Sequence, residues 1–172
     1  TKAAINEIGA MLVHRELAHV LPPLLASGDV PERIAHNDAK SSNVLVDEQT
    51  GAALCVVDLD TVMPGTLLYD FGDMVRSATS PTAEDERRLG DIGVQLPLFA
   101  GLVEGYLAEA GSILTPTERD LLVFAGKLIT YEQAVRFLTD YLDGDRYYRT
   151  AYPEHNLARC RAQVKLLDTL EV

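Results

Sequence analysis

His36-Asn37-Asp38-Ala39-Lys40-Ser41-Ser42-Asn43 is followed by two short apolar runs, Val44-Leu45-Val46 and Ala53-Leu54-Cys55-Val56-Val57, and then by Asp58-Leu59-Asp60. β-Branched residues are frequent in the runs, and Asp47-Glu48-Gln49-Thr50-Gly51 between them has turn chemistry, so a β-hairpin is expected here. Antiparallel pairing in which facing residue numbers sum to about 101 puts Asn43 beside Asp58. Two oxygen ligands then meet at the open end of the hairpin. A hard cation held through one or two side chains, with phosphate oxygens completing its shell, needs this kind of arrangement. Asp38 lies on the same loop, five positions before Asn43, where a carboxylate can accept a proton from a hydroxyl.

The spacing His-x-Asp-x-x-x-x-Asn is that of the kinase catalytic loop. On that reading Asp38 accepts the proton of the attacking hydroxyl, while Asn43 and Asp58 hold magnesium. Asp60 either binds a second magnesium or shapes the hairpin end. Lys40 either lies against the transferred phosphoryl group, offsetting its charge, or is a solvated lysine. His36 is expected to pack beneath the loop and hydrogen-bond to backbone. The competing reading makes these ordinary loop residues and strand caps; the hairpin with its terminal acid favours phosphoryl transfer. Asp70-Phe71-Gly72 spells the magnesium-binding triplet of protein kinases, yet it falls well after the hairpin, behind Pro64-Gly65, at the start of an expected helix. The metal is therefore assigned to Asp58. Asp70 is expected to be buried and to accept backbone amides of the catalytic loop, with helix capping as its alternative.

These motifs resemble the C-terminal lobe of the aminoglycoside phosphotransferase and choline kinase superfamily. His36-Asn37-Asp38, the run Val57-Asp58-Leu59-Asp60-Thr61-Val62-Met63-Pro64-Gly65 and Tyr69-Asp70-Phe71-Gly72-Asp73 are most similar to the N-acetylhexosamine 1-kinases. The resemblance implies an α+β, mostly α fold: the helical lobe of a protein-kinase-like enzyme with one catalytic β-hairpin. It implies ATP and Mg2+ as cofactors, a sugar as acceptor and a sugar 1-phosphate as product. It also implies that Arg136 and Tyr147, in Arg136-Phe137-Leu138-Thr139-Asp140-Tyr141 and Asp145-Arg146-Tyr147-Tyr148, contact the sugar; a helix-end salt bridge with core aromatics is the other account of that cluster. Arg76 faces either the cleft or a carboxylate. An aminoglycoside or choline acceptor, or a non-catalytic kinase-like binding module, are the alternative functions.

The 172 residues suit one domain, 1–172, and their 47% hydrophobic and 24% charged composition is that of a globular protein. A net charge of −11 without a basic cluster excludes a nucleic-acid partner. No apolar run is long enough for a membrane span and the first residues lack the pattern of a signal peptide, so a cytoplasmic location is expected. Cys55, inside the expected buried hairpin, and Cys160, on a helix, read as reduced packing residues. Neither a Gly-x-Gly-x-x-Gly nor a Walker loop occurs. The nucleotide-binding N-terminal lobe is thus expected to be missing, with this chain as the C-terminal lobe.

Hydrophobic periodicity predicts helices over 2–20, ended by Pro22-Pro23 and presenting Ile5, Ile8, Met11 and Leu12 on one face. A further helical turn over 24–29 and helices over 67–78 and 95–110 follow, the last with Leu98, Leu102 and Tyr106 on one face. Thr115-Pro116-Thr117-Glu118 is a capping box expected to open the longest helix, to about Asp143. A final helix runs from Glu154 or Asn156 to Leu170. Residues 61–66 are expected as a turn, and 80–86 as the start of a short helix or flap.

Overall fold

Two small antiparallel sheets lie among helices in the computed structural model, which describes residues 2–171. The helices are α1 (Ile5–Val13), α2 (Leu21–Ser27), α3 (Leu67–Ala78), α4 (Leu96–Ala110), α5 (Pro116–Asp120), α6 (Leu122–Leu142) and α7 (His155–Leu170). Strands β1 (Arg33–Ala35) and β4 (Met63–Gly65) pair with each other, and β2 (Val44–Val46) pairs with β3 (Ala53–Val56). The architecture is mostly helical. No described helix is long and apolar enough to cross a membrane.

Helix α6 is the spine. Its first half contributes Leu122, Ala125 and Leu128 to a core shared with Leu68, Phe71 and Val75 of α3. Its second half contributes Ala134, Phe137 and Leu138 to a core shared with Met11 of α1 and Leu157 and Cys160 of α7. The first contact is close because Gly72 has no side chain: a Cβ there would run into Ile129 and the carbonyl of Ala125. Burying such faces against each other is the main source of helix stability in a domain of this kind.

Several expectations for the first third need correction. Residues 2–20 are not one helix, since α1 ends at Val13 and the chain continues as a 3-10 turn over Arg15–His19. Pro22 and Pro23 open α2 instead of closing the segment, because their missing N–H groups cost nothing in a first turn. Met11 is buried, whereas Ile5 and Leu12 are exposed. Around Pro64 the expected turn is a strand. Pro64 sits opposite Ile34 in a sheet of two strands only, where an absent donor is tolerated.

Farther along, α3 and α7 keep close to their predicted bounds, and Thr66 caps α3 by accepting from the Leu68 N–H. The capping box at Thr115 and Glu118 is formed, but it opens the short α5, which is separated from α6 by a break at Leu121. Helix α4 packs through Phe99, Leu102, Val103 and Tyr106, while Leu98 faces solvent. Residues 80–86 are irregular, not helical. The β2–β3 hairpin is exposed on both strands, so Cys55 is exposed and not a core residue; Cys160 is buried, and both thiols are free.

Candidate active site

The loop 36–43 leaves β1 and enters β2, and it is tied down at both ends by α3. At its start the Asp70 carboxylate, in the first turn of that helix, accepts the His36 N–H at 2.8 Å and the Asn37 N–H at 2.7 Å. At its end the Ser41 N–H donates to Ser77 Oγ at 2.8 Å, and Ser41 Oγ donates to the Ser77 carbonyl at 3.1 Å. Between them Asn37 adopts a left-handed conformation, φ 60°, and its amide donates to the carbonyls of Ala35, Thr61 and Met63. Gly65 makes room for this, because a Cβ there would stand 2.5 Å from Asn37 Oδ1. His36 Nε2 meets the Val57 carbonyl at 3.1 Å, which joins the loop to the end of the second hairpin strand, β3.

These restraints set Asp38. Its Oδ2 accepts Lys40 Nζ at 2.5 Å and Asn43 Nδ2 at 3.0 Å, and Asn43 Nδ2 also donates to the Asp38 carbonyl at 2.8 Å. Both side-chain contacts fall on Oδ2, so Oδ1 is the oxygen that remains for a hydroxyl proton. Asn43, buried, uses its side-chain NH2 on Asp38 and keeps its side-chain Oδ1 for another partner.

Hairpin pairing is offset from expectation. Val44 faces Val56 and Leu45 faces Cys55, and the Val57 N–H donates to the Asn43 carbonyl at 2.9 Å. Asn43 is therefore opposite Val57, and Asp58 is the next residue along, turned into a left-handed conformation at φ 64°. Asp58 and Asp60 are exposed, and no group of three or more His, Cys, Asp or Glu among the described residues could cage a metal. One amide oxygen and two open carboxylates do fit a magnesium ion that takes most of its shell from phosphate and water.

A cleft of about 540 Å³ opens above Asp38 and Lys40. Its far wall comes from α6, the loop after it and α7, and includes Arg136 and Tyr147. The structure thus brings onto one cavity residues about a hundred positions apart in the chain. Arg136 is exposed, with its guanidinium carbon 5.9 Å from the Tyr147 ring centre and 5.6 Å from that of Tyr148, in cation–π range. Behind them the Asp140 carboxylate accepts the N–H groups of Arg146, Tyr147 and Tyr148 at 2.8–2.9 Å and the amide of Asn156. Burial alone would push the Asp140 carboxyl up, but these backbone donors outweigh it and hold the carboxyl below its ordinary value. On the near wall Arg76 is buried and forks onto Asp73 while reaching Glu84 at 2.6 Å. Burial disfavours its charge, yet Asp73 and Glu84 prevail and hold the guanidinium above its usual range. Arg76 therefore meets both of its expected partners, the cleft and a carboxylate.

Residues 7–102 match the phosphotransferase enzyme family. The chain belongs to that family. The match covers the catalytic loop, the hairpin and α3, and ends before the wall that carries Arg136 and Tyr147. Family membership makes this chain a small-molecule phosphotransferase in type, and the part of the site it accounts for is the part built around Asp38. Within this phosphotransferase, sequence reasoning missed Asn37, Ser77 and Asp140. Asn37 was the one with a local signal, since asparagine tolerates positive φ better than most residues. The others act on backbone groups that only the fold brings near.

Proposed function

We propose that this chain carries the catalytic loop and acceptor site of a Mg-ATP-dependent kinase of protein-kinase-like fold, acting on a hydroxyl of a neutral sugar. By resemblance that hydroxyl is the anomeric one of an N-acetylhexosamine, and the product is the 1-phosphate. One observation carries the reading: Asp38 with a free Oδ1 shares a cleft with Arg136 and Tyr147. A guanidinium fork and a tyrosine suit sugar hydroxyls and an acetamido carbonyl.

Charge argues against the aminoglycoside and choline alternatives. The cleft is lined by Lys40, Arg76, Arg136 and Arg159 but, among acids, by Asp38 and Glu84. In a molecule of net charge −11 this wall is locally basic, which disfavours a cationic acceptor. In the proposed reaction Asp38 Oδ1 takes the proton as the acceptor oxygen attacks the γ-phosphorus in line, and Lys40 offsets charge on the transferring group. Asn43 and Asp58 would hold magnesium, with Asp60 beside them. When bound, that ion would neutralise phosphate charge. His36 and Asp70 fix the loop. The phosphate-covering loop and lysine that such a reaction also needs have no counterpart in these residues, so we assign them to a preceding lobe of the full-length protein.

The test is to incubate full-length protein with Mg-ATP and a panel of N-acetylhexosamines, aminoglycosides and choline, and to read product masses beside an Asp38→Asn control. An acid-labile sugar monophosphate formed only by the wild type is the expected result. Product from the cationic acceptors alone, or from none, would overturn the sugar reading.

A further inference from the structure

On the cleft that Asp38 lines, the side chain of Gln163 on α7 borders the cavity. The residue is 3% exposed, and its Oε1 is enclosed without a hydrogen-bond partner among the described residues. Buried amides are nearly always paired within the protein, so an unpaired one at a cavity wall points to a partner outside the chain. The neighbouring wall is apolar, formed by Ile92, Ala162 and Leu166. Beside it stands the guanidinium of Arg159, held by NH1 on Asn156 Oδ1 at 2.9 Å.

We infer that Gln163, with Ile92, Ala162 and Leu166, forms a subsite of this cleft that takes an acylamino group of the acceptor. The complementarity is threefold. A primary amide offers one acceptor and a pair of donors, and a half-turn about its last side-chain bond exchanges them, so it matches the N–H and C=O of a secondary amide. The apolar wall receives the acyl methyl. Arg159 supplies a further donor for the acyl oxygen. Gln163 is thus a specificity-determining contact for the acceptor, and the inference rests on reading this cleft as the acceptor site.

Saturation-transfer NMR and titration on the full-length protein test this without requiring turnover, with N-acetylglucosamine as probe and glucose as the sugar lacking the group. The wild type should bind N-acetylglucosamine more tightly and saturate its methyl signal. Gln163→Met should weaken that binding by about five- to tenfold, the value of one hydrogen bond. The thermal midpoint of the variant should be no lower than wild type, because an unpaired buried amide has been removed. Equal binding by wild type and variant would overturn the subsite, as would no methyl saturation in the wild type, or a lowered midpoint showing that the amide serves the fold. Phosphorylation is scored separately. Methyl binding lost in the variant, with no turnover by the wild type, would keep the subsite and sink the kinase reading; turnover with unchanged variant binding would do the reverse.

Discussion

At the scale of single residues, carboxylates divide the labour of the site by what they face. Asp38 keeps one oxygen open, whereas Asp70 and Asp140 use theirs on backbone N–H groups and so fix loops. Asp70→Ala removes the acceptor of two amides. It should cost about 2–3 kcal/mol of stability, read by urea unfolding, and slow turnover by loosening the loop that holds Asp38. Asp140 makes a prediction about pH. Its folded-state carboxyl lies below the ordinary value, so its contribution is present above about pH 4 and fades as pH falls through the lower folded-state value. The gap in melting temperature between wild type and Asp140→Asn should be wide at pH 7 and narrow at pH 3; an unchanged gap would remove the carboxylate from this role. The positions of Asp38, Lys40 and Asn43 on one loop were legible from spacing. Asp140 was not, because its partners are main-chain groups of a loop whose path no residue type announces.

At the scale of elements, amphipathic helices were the readable part. The apolar stripe of α3 follows from periodicity, and α4 ends at Gly111 as expected, although Gly111 stays right-handed at φ −57° and is not a left-handed cap. Strand β4 was not readable, since Met63-Pro64-Gly65 has neither alternation nor β-propensity and owes its conformation to β1 and to the Asn37 amide. Hairpin register departs from expectation by one at the open end, where Val44 faces Val56, and by two at Val46, which faces Ala53; a bulge between Leu45 and Val46 separates the two registers, and the apolar runs alone did not fix the pairing. The packing of α3 on α6 yields a direct test. Gly72→Ala forces a methyl against Ile129 and the Ala125 carbonyl, and should destabilise the protein by about 1–3 kcal/mol, visible as a lower urea midpoint.

At the scale of the whole molecule, the two larger hydrophobic clusters are not independent, because α6 contributes to both. Unfolding should therefore be one cooperative event. With seven tyrosines and no tryptophan, tyrosine near-ultraviolet dichroism reports tertiary packing and far-ultraviolet dichroism reports helix. The two urea curves should coincide, and separated midpoints would show that the clusters melt apart. Composition gave a globular chain and periodicity its helices, but neither gave the contrast between an acidic molecule and a basic cleft. That contrast arises when α3, α6 and α7 each turn an arginine toward one cavity.

The double attachment of the catalytic loop to α3 has a bearing on how this protein can vary. Asp70 and Ser77 are seven residues apart, close to two helical turns, so they project from nearly the same face about 10 Å apart along the axis. The helix is in effect a gauge for the loop that spans those two points. Inserting or deleting a single residue between 70 and 77 would rotate one anchor by about 100° relative to the other and release one end of the loop. Length changes should thus be excluded from this short interval even where substitutions are accepted, and a library of one-residue insertions scanned through α3 would display it as a gap in the functional clones.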